Sequence, residues 1–340
     1  MVVSLLTVPL SKAITEANYE QGYRERVIPF MKEGEEFTFQ SADYKFNLSA
    51  IRFGHRDDKG VIVILNGRAE SWLKYGELFY DLHLRGYTLY SYDHRGQGLS
   101  PHLGGKNTQM GHVDDFREYA RDLDAFLKEV TRKERSRGKN LFLIAHSMGG
   151  AVSLEYLGEH SSPFQGIVLC SPMIEINTSP YPNWLAHGIV GILKGIGLGR
   201  SYAIGEHDYD PDPSGYQSNK VTSSHSRWNQ GREIWKEHPE AVIGGASNGW
   251  VDESLSMTKK IRKTSHSIGS ANTKILLLMA GKDRLVRNPS ESTISSLITN
   301  PRMVAYPDSK HEILMERDSI RLPALDLIDR FFKNVCRSDG

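Results

Sequence analysis

Leu141-Phe-Leu-Ile-Ala-His-Ser-Met-Gly-Gly-Ala151 is the stretch on which the fold turns. The apolar run Leu141 to Ile144 reads as a buried strand, and Gly150-Ala151-Val152 opens a helical pattern. A strand that turns sharply into a helix around one serine is a nucleophile elbow. The turn holds Ser147 at strained dihedrals, so the residues two positions to either side must be small. They are Ala145 and Gly149. Glycine is more usual at the first of these, so Ala145 departs by one methyl group. Alone, the pentapeptide would equally suit a plain Ser-Gly turn after a strand. Its meaning depends on what lies elsewhere.

Outward from the elbow, the chain alternates strands and helices. Val61-Ile-Val-Ile-Leu65 is unbroken and apolar, as a strand buried on both faces of a parallel sheet must be. Tyr87–Asp93, Gly166–Cys170, Lys274–Met279 and Arg302–Tyr306 are further strands. Glu36–Gln40 and Tyr44–Phe53 alternate with period two and predict an antiparallel edge. Residues 113–131 form an amphipathic helix with Phe116, Tyr119, Leu123, Phe126, Leu127 and Val130 on one face. The alternation stops between Met173 and Asn272, a stretch rich in Gly, Ser, His and Trp. The expected organisation is an α/β core over residues 1–172 and 273–340, with a helical cap inserted at 173–272. A mostly parallel sheet with helices on both faces follows, and its sites lie at the carboxyl ends of the strands.

A serine hydroxyl needs a base within hydrogen-bond reach, and the base needs an orienting acid. Asp283, after a buried strand in Ala280-Gly-Lys-Asp283, is the best acid; Asp252 and Asp308 compete with it. His311 is the best base, being the one histidine of thirteen that lies C-terminal to Asp283. His146 adjoins the nucleophile but cannot curl back to serve it, and is expected to pack beside the elbow. Acyl transfer also requires donors where the oxyanion forms. The backbone N–H groups of Met148 and of Arg68, in the loop after Val61–Leu65, are the candidates.

Composition excludes other classes. The net charge of +1 creates no field for nucleic acid. Two cysteines make neither a disulfide framework nor a zinc set. His187, His207, His225 and His238 are too scattered for a metal. The glycines at 195, 197 and 199 follow no strand and do not make a dinucleotide site. Residues 1–10 are apolar with no basic region before them, which argues against a cleaved signal. No apolar run reaches the roughly 18 residues of a membrane span.

Taken with Leu65-Asn-Gly-Arg-Ala-Glu-Ser71, Tyr92-Asp-His-Arg-Gly-Gln-Gly-Leu-Ser100 and Lys310-His-Glu-Ile-Leu314, the elbow resembles the monoglyceride-lipase-like branch of the α/β-hydrolases. Within that branch Val221-Thr-Ser-Ser-His-Ser-Arg227 and Gly244-Gly-Ala-Ser-Asn-Gly-Trp250 resemble bacterial inner-membrane lysophospholipases. Monoglyceride lipases carry His-Gly where this chain has Asn66-Gly67, which favours the lysophospholipase side. The resemblance covers about residues 35–335 and implies a serine carboxylic-ester hydrolase acting on lysophospholipids without metal or organic cofactor. It implies a cytoplasmic protein with peripheral contact, through the cap, at the inner face of the membrane. A monoacylglycerol lipase, a peptidase or amidase, and an inactive lipid-binding scaffold are the rivals. In the cap, Trp184, Trp228 and Trp250 are candidates to line the substrate's path. Arg227 and Arg232 could meet a phosphate head group. The apolar stretch Trp184–Leu198 could line an acyl channel, dip into a lipid interface or simply be buried.

Overall fold

The computed structural model describes residues 14–134, 139–211, 215–263, 273–289 and 291–337. The N-terminal ten residues and the end of the expected cap, 264–272, lie outside them. The apolar runs become strands β1 (Glu35–Gln40), β2 (Asn47–Phe53), β3 (Val61–Leu65), β4 (Thr88–Tyr92), β5 (Leu141–His146), β6 (Gly166–Cys170), β7 (Lys274–Ala280) and β8 (Arg302–Tyr306). They form one sheet in the order β1-β2-β4-β3-β5-β6-β7-β8. β1 pairs with β2, and β2 with β4, antiparallel, so the expected edge is present. The remaining pairs are parallel, with Leu65 opposite both Tyr92 and Ala145, and His146 opposite Cys170.

Strand side chains alternate between faces, and both faces of this sheet are covered. Val61, Val63 and Leu65 enter one core with α2 (Arg117–Glu134) and α3 (Met148–Glu159). Ile62 and Ile64 enter the other, with α1 (Gly76–Leu84) and α8 (Asp318–Arg337). All five β3 side chains are buried, which is why this strand shows no polar alternation. Each fully buried aliphatic side chain contributes about 1.5–3 kcal/mol. Helix α2 begins at Arg117 rather than 113 because the Asp115 carboxylate accepts the Arg117 N–H and ends the preceding turn there.

Between β6 and β7 no strand forms among the described residues. The segment carries α4 (Asn183–Leu193), α5 (His225–Glu237) and α6 (Asn248–Lys263), and α7 (Glu291–Leu297) follows β7. Helix α6 joins the core beside α3 through Trp250, Met257 and Ile261. Helix α5 is held by Arg227, whose guanidinium meets Glu77 of α1 at 2.9 Å and Asp318 of α8 at 2.8 Å. Helix α4 is different: it buries only Val190, and Trp184 and Ile192 are 76% and 68% exposed. Beyond it the chain kinks at Gly197, whose φ of 89° glycine alone adopts freely. Among the described residues no helix is long and apolar enough to cross a membrane.

Candidate active site

Ser147 stands immediately after β5, at φ 50° and ψ −114°. Such a backbone is strained for a residue with a side chain and persists only where its surroundings enforce it. Here they do. A Cβ on Gly149 would lie 2.8 Å from the carbonyl oxygens of both Leu65 and Asn66, and one on Gly150 would lie 2.6 Å from Pro172. The elbow is therefore seated directly on the ends of β3 and β6. The Ser147 N–H donates to the Cys170 carbonyl at 3.1 Å, and its carbonyl accepts from Gly150 and Met173.

Of the three candidate acids, Asp283 is the one that meets His311. Its Oδ2 lies 2.6 Å from His311 Nδ1, with the two side chains 1% and 4% exposed. Oδ1 accepts the N–H groups of Leu285 and Val286, which fixes the carboxylate. Burial, the largest single influence, would raise the Asp283 pKa, but the bond and charge of His311 together with the Val286 and Leu285 N–H groups outweigh it and hold the carboxyl below its usual range. Asp252 pairs instead with Lys194 and His187, and Asp308 is exposed beside Lys282. The ring of His146 lies 4.8 Å from that of His311, so it packs beside the elbow. Burial pushes the His146 imidazole down to about 4, so it is neutral near pH 7.

The loop after β3 is held from several sides. Gln97 donates to the carbonyls of Gly67 and Glu70 and accepts the Ala69 N–H. Asn66 is fully buried and donates to Asp93, which also receives Ser71 and the backbone of Trp72 and Leu99. Glu70 accepts the Gly67 N–H at 2.6 Å. The N–H groups of Arg68 and Met148 have no acceptor among the described residues. A Cβ on Gly67 would come within 3.3 Å of Ser147 Cβ, so the loop touches the elbow.

Sequence reasoning missed the group that ties this loop to the histidine. Lys74 Nζ lies 2.7 Å from Glu70 and 2.5 Å from Glu312, the residue after His311. Glu70, His146 and Glu312 bring ligand atoms within 4.8 Å of one another, as a metal site would. The Lys74 ammonium supplies the positive charge between the two carboxylates. Glu70 and Glu312 stand in quoted motifs, but no spacing rule says that two loops share one lysine.

The candidate substrate residues scatter. Trp184 is exposed. Trp228 packs within the inserted segment against Tyr216 and His225, under the Arg232 guanidinium. Trp250 is buried beneath the Arg68 guanidinium at 4.9 Å. Arg227 must be reassigned: it is buried and saturated by Glu77, Asp318 and the Glu316 carbonyl, with no face left for a head group.

A model of the family described as serine aminopeptidase, S33, matches residues 56–318. The chain belongs to that family. Within it, the chain is 30% identical over 331 residues to the probable lysophospholipase L2 of Haemophilus influenzae, a match covering 94% of this chain and 98% of that one. It is 32% identical over 311 residues to lysophospholipase L2 of Escherichia coli K12, covering 89% of this chain and 88% of that one. A soluble variant of the monoglyceride lipase of Saccharomyces cerevisiae superposes with a TM-score of 0.69 at 18% identity, over 88% of this chain and 94% of that one. The S33 chain thus has the α/β-hydrolase fold and is an ester hydrolase.

The depressed pKa of His146 sets a sign. An imidazole that titrates near 4 when folded and near 6.5 when unfolded takes up its proton first in the unfolded chain. Its contribution to stability is therefore full above about pH 6.5 and is lost as pH falls toward about 4. Between pH 7.5 and 4.5 the wild type should lose about 2–3 kcal/mol more stability than His146→Asn. Urea denaturation of both proteins at the two pH values checks this, and equal losses would contradict it.

Proposed function

We propose that the chain cleaves the fatty-acyl ester of lysophospholipids through an acyl-serine intermediate. The observation that carries the reading is the buried His311–Asp283 pair on the same sheet rim as the strained Ser147. His311 Nε2 takes the Ser147 proton as the hydroxyl oxygen attacks the acyl carbonyl. Asp283 orients the imidazole and stabilises its charged form. The N–H groups of Arg68 and Met148 receive the oxyanion. His311 then returns the proton to the leaving glycerol oxygen, and the acyl group remains on Ser147. Water, deprotonated by His311, releases the fatty acid. The inserted segment acts as the cap over this rim. The names of the lysophospholipase L2 relatives and the cap segments Val221–Arg227 and Gly244–Trp250 support the substrate class.

Ser147→Ala should lower kcat on 1-oleoyl lysophosphatidylcholine by about 10⁶ with the fold retained by circular dichroism. Retention of most activity would show that Ser147 is not the nucleophile. The wild type should hydrolyse that substrate with higher kcat/KM than monoolein. The reverse preference would replace this reading with a monoacylglycerol lipase.

A second observation bears on where the enzyme meets its substrate. Trp184, Ile192, Ile196 and Leu198 are all exposed on one short apolar stretch of the cap. Large apolar side chains exposed this close together in the chain suit insertion into a lipid interface. Replacing Ile192 and Ile196 together by Ser should cut co-sedimentation with phosphatidylglycerol vesicles at least about tenfold. Undiminished binding would remove the cap from the membrane contact.

A further inference from the structure

Arg68 carries a charge that no carboxylate pairs with among the described residues. Its guanidinium lies over the Trp250 ring, and Nη2 donates to the Gly244 carbonyl at 2.9 Å. Its Nε is buried with no acceptor. It forms no ion pair among the described residues. Arg68 is half-buried, and the fully buried guanidiniums differ from it in being paired. Arg85 meets Asp326 at 3.0 Å, Arg95 meets Asp122 at 2.6 Å, Arg227 meets Glu77 at 2.9 Å and Arg321 meets Asp81 at 2.6 Å. Burial lowers the Arg68 pKa, and the charge of Glu206 offsets this only in part. The Glu206 carboxylate does not bond Arg68; its Oε2 accepts the Ala246 N–H at 2.8 Å.

Placement gives this unpaired charge a use. Arg68 follows Gly67, the residue whose added Cβ would press on Ser147. Its side chain runs from there to Gly244, in a cap segment singled out by the sequence. Gly111 leaves room beside it, since a Cβ there would lie 3.1 Å from Nη2. The cation therefore belongs to the residue next to the loop's contact with the elbow. We propose that the Arg68 guanidinium is the subsite for the phosphate of the substrate's head group, and so the residue that separates phosphate-bearing monoacyl lipids from neutral ones. The proposal rests on the lysophospholipid reading above. A phosphate oxygen accepts charge-assisted hydrogen bonds from the guanidinium's N–H groups. A neutral glyceride leaves the same cation uncompensated, and sites built to bind a polar group reject analogues that lack it.

The test compares kcat/KM for 1-oleoyl lysophosphatidylcholine with that for monoolein, in wild type, Arg68→Gln and Arg68→Lys. The ratio should fall about 10–100-fold in Arg68→Gln and be largely kept in Arg68→Lys. An unchanged ratio in Arg68→Gln, or an equal fall in Arg68→Lys, would overturn the assignment while leaving the hydrolase reading intact. A wild type that prefers monoolein would instead overturn the lysophospholipid reading itself. Should Arg68→Gln fail to fold, the wild type still decides. Glycerol 3-phosphate should inhibit its hydrolysis of lysophosphatidylcholine competitively, and lack of inhibition would count against the subsite.

Discussion

The active rim depends on a steric constraint: Gly149 sits against the carbonyls that end β3. Those carbonyls belong to the strand that carries the Asn66–Ser71 loop, and Gly149 belongs to the turn that carries Ser147. A backbone-to-backbone contact thus fixes the spacing between the serine and the N–H groups proposed to receive the oxyanion. Because no flexible side chain intervenes, the spacing cannot drift when side chains change rotamer. The positive φ of Ser147 is the local consequence, and packing against β3 and β6 keeps it in place.

Around that contact the protein spends polar groups where an apolar core would be simpler. Lys74 bridges a carboxylate in the loop after β3 to one beside His311. Gln97 and Asp93 hold the same loop from the β4 side. Buried ion pairs add little net stability, since desolvation offsets much of the attraction. Their geometry is demanding, however, and breaking one partner leaves a buried charge. The network therefore serves to locate two loops relative to each other. Arg227, Glu77, Arg321 and Asp81 play the same part farther out, where they fasten helix α5 of the inserted segment to α1 and α8.

Strands buried on both faces announce themselves as unbroken apolar runs, so the sheet was legible from β3, β5, β6 and β7. The chain order Ser…Asp…His pointed to Ser147, Asp283 and His311, and the fold pairs the last two and sets Ser147 at the end of β5. Burial of charged residues was not legible. Arg227 in a polar helix reads as a solvated cation, because nothing nearby in sequence reveals Glu77 or Asp318. The surroundings of the Arg68 side chain were equally hidden, since Gly244 and Trp250 lie far from it in sequence. The stretch from Trp184 to Leu198 posed a different problem. It is apolar nearly all round, so periodicity gives no direction, and only the fold shows that Trp184 and Ile192 face outward.

The central claim is that Ser147 is made nucleophilic by the His311–Asp283 pair. Reaction with a fluorophosphonate, followed by peptide mapping, tests it most directly. A single adduct on Ser147 is expected in the wild type, and its loss in His311→Ala, whose serine is intact but lacks a base. An adduct on another residue, or equal labelling of Ser147 without His311, would contradict it.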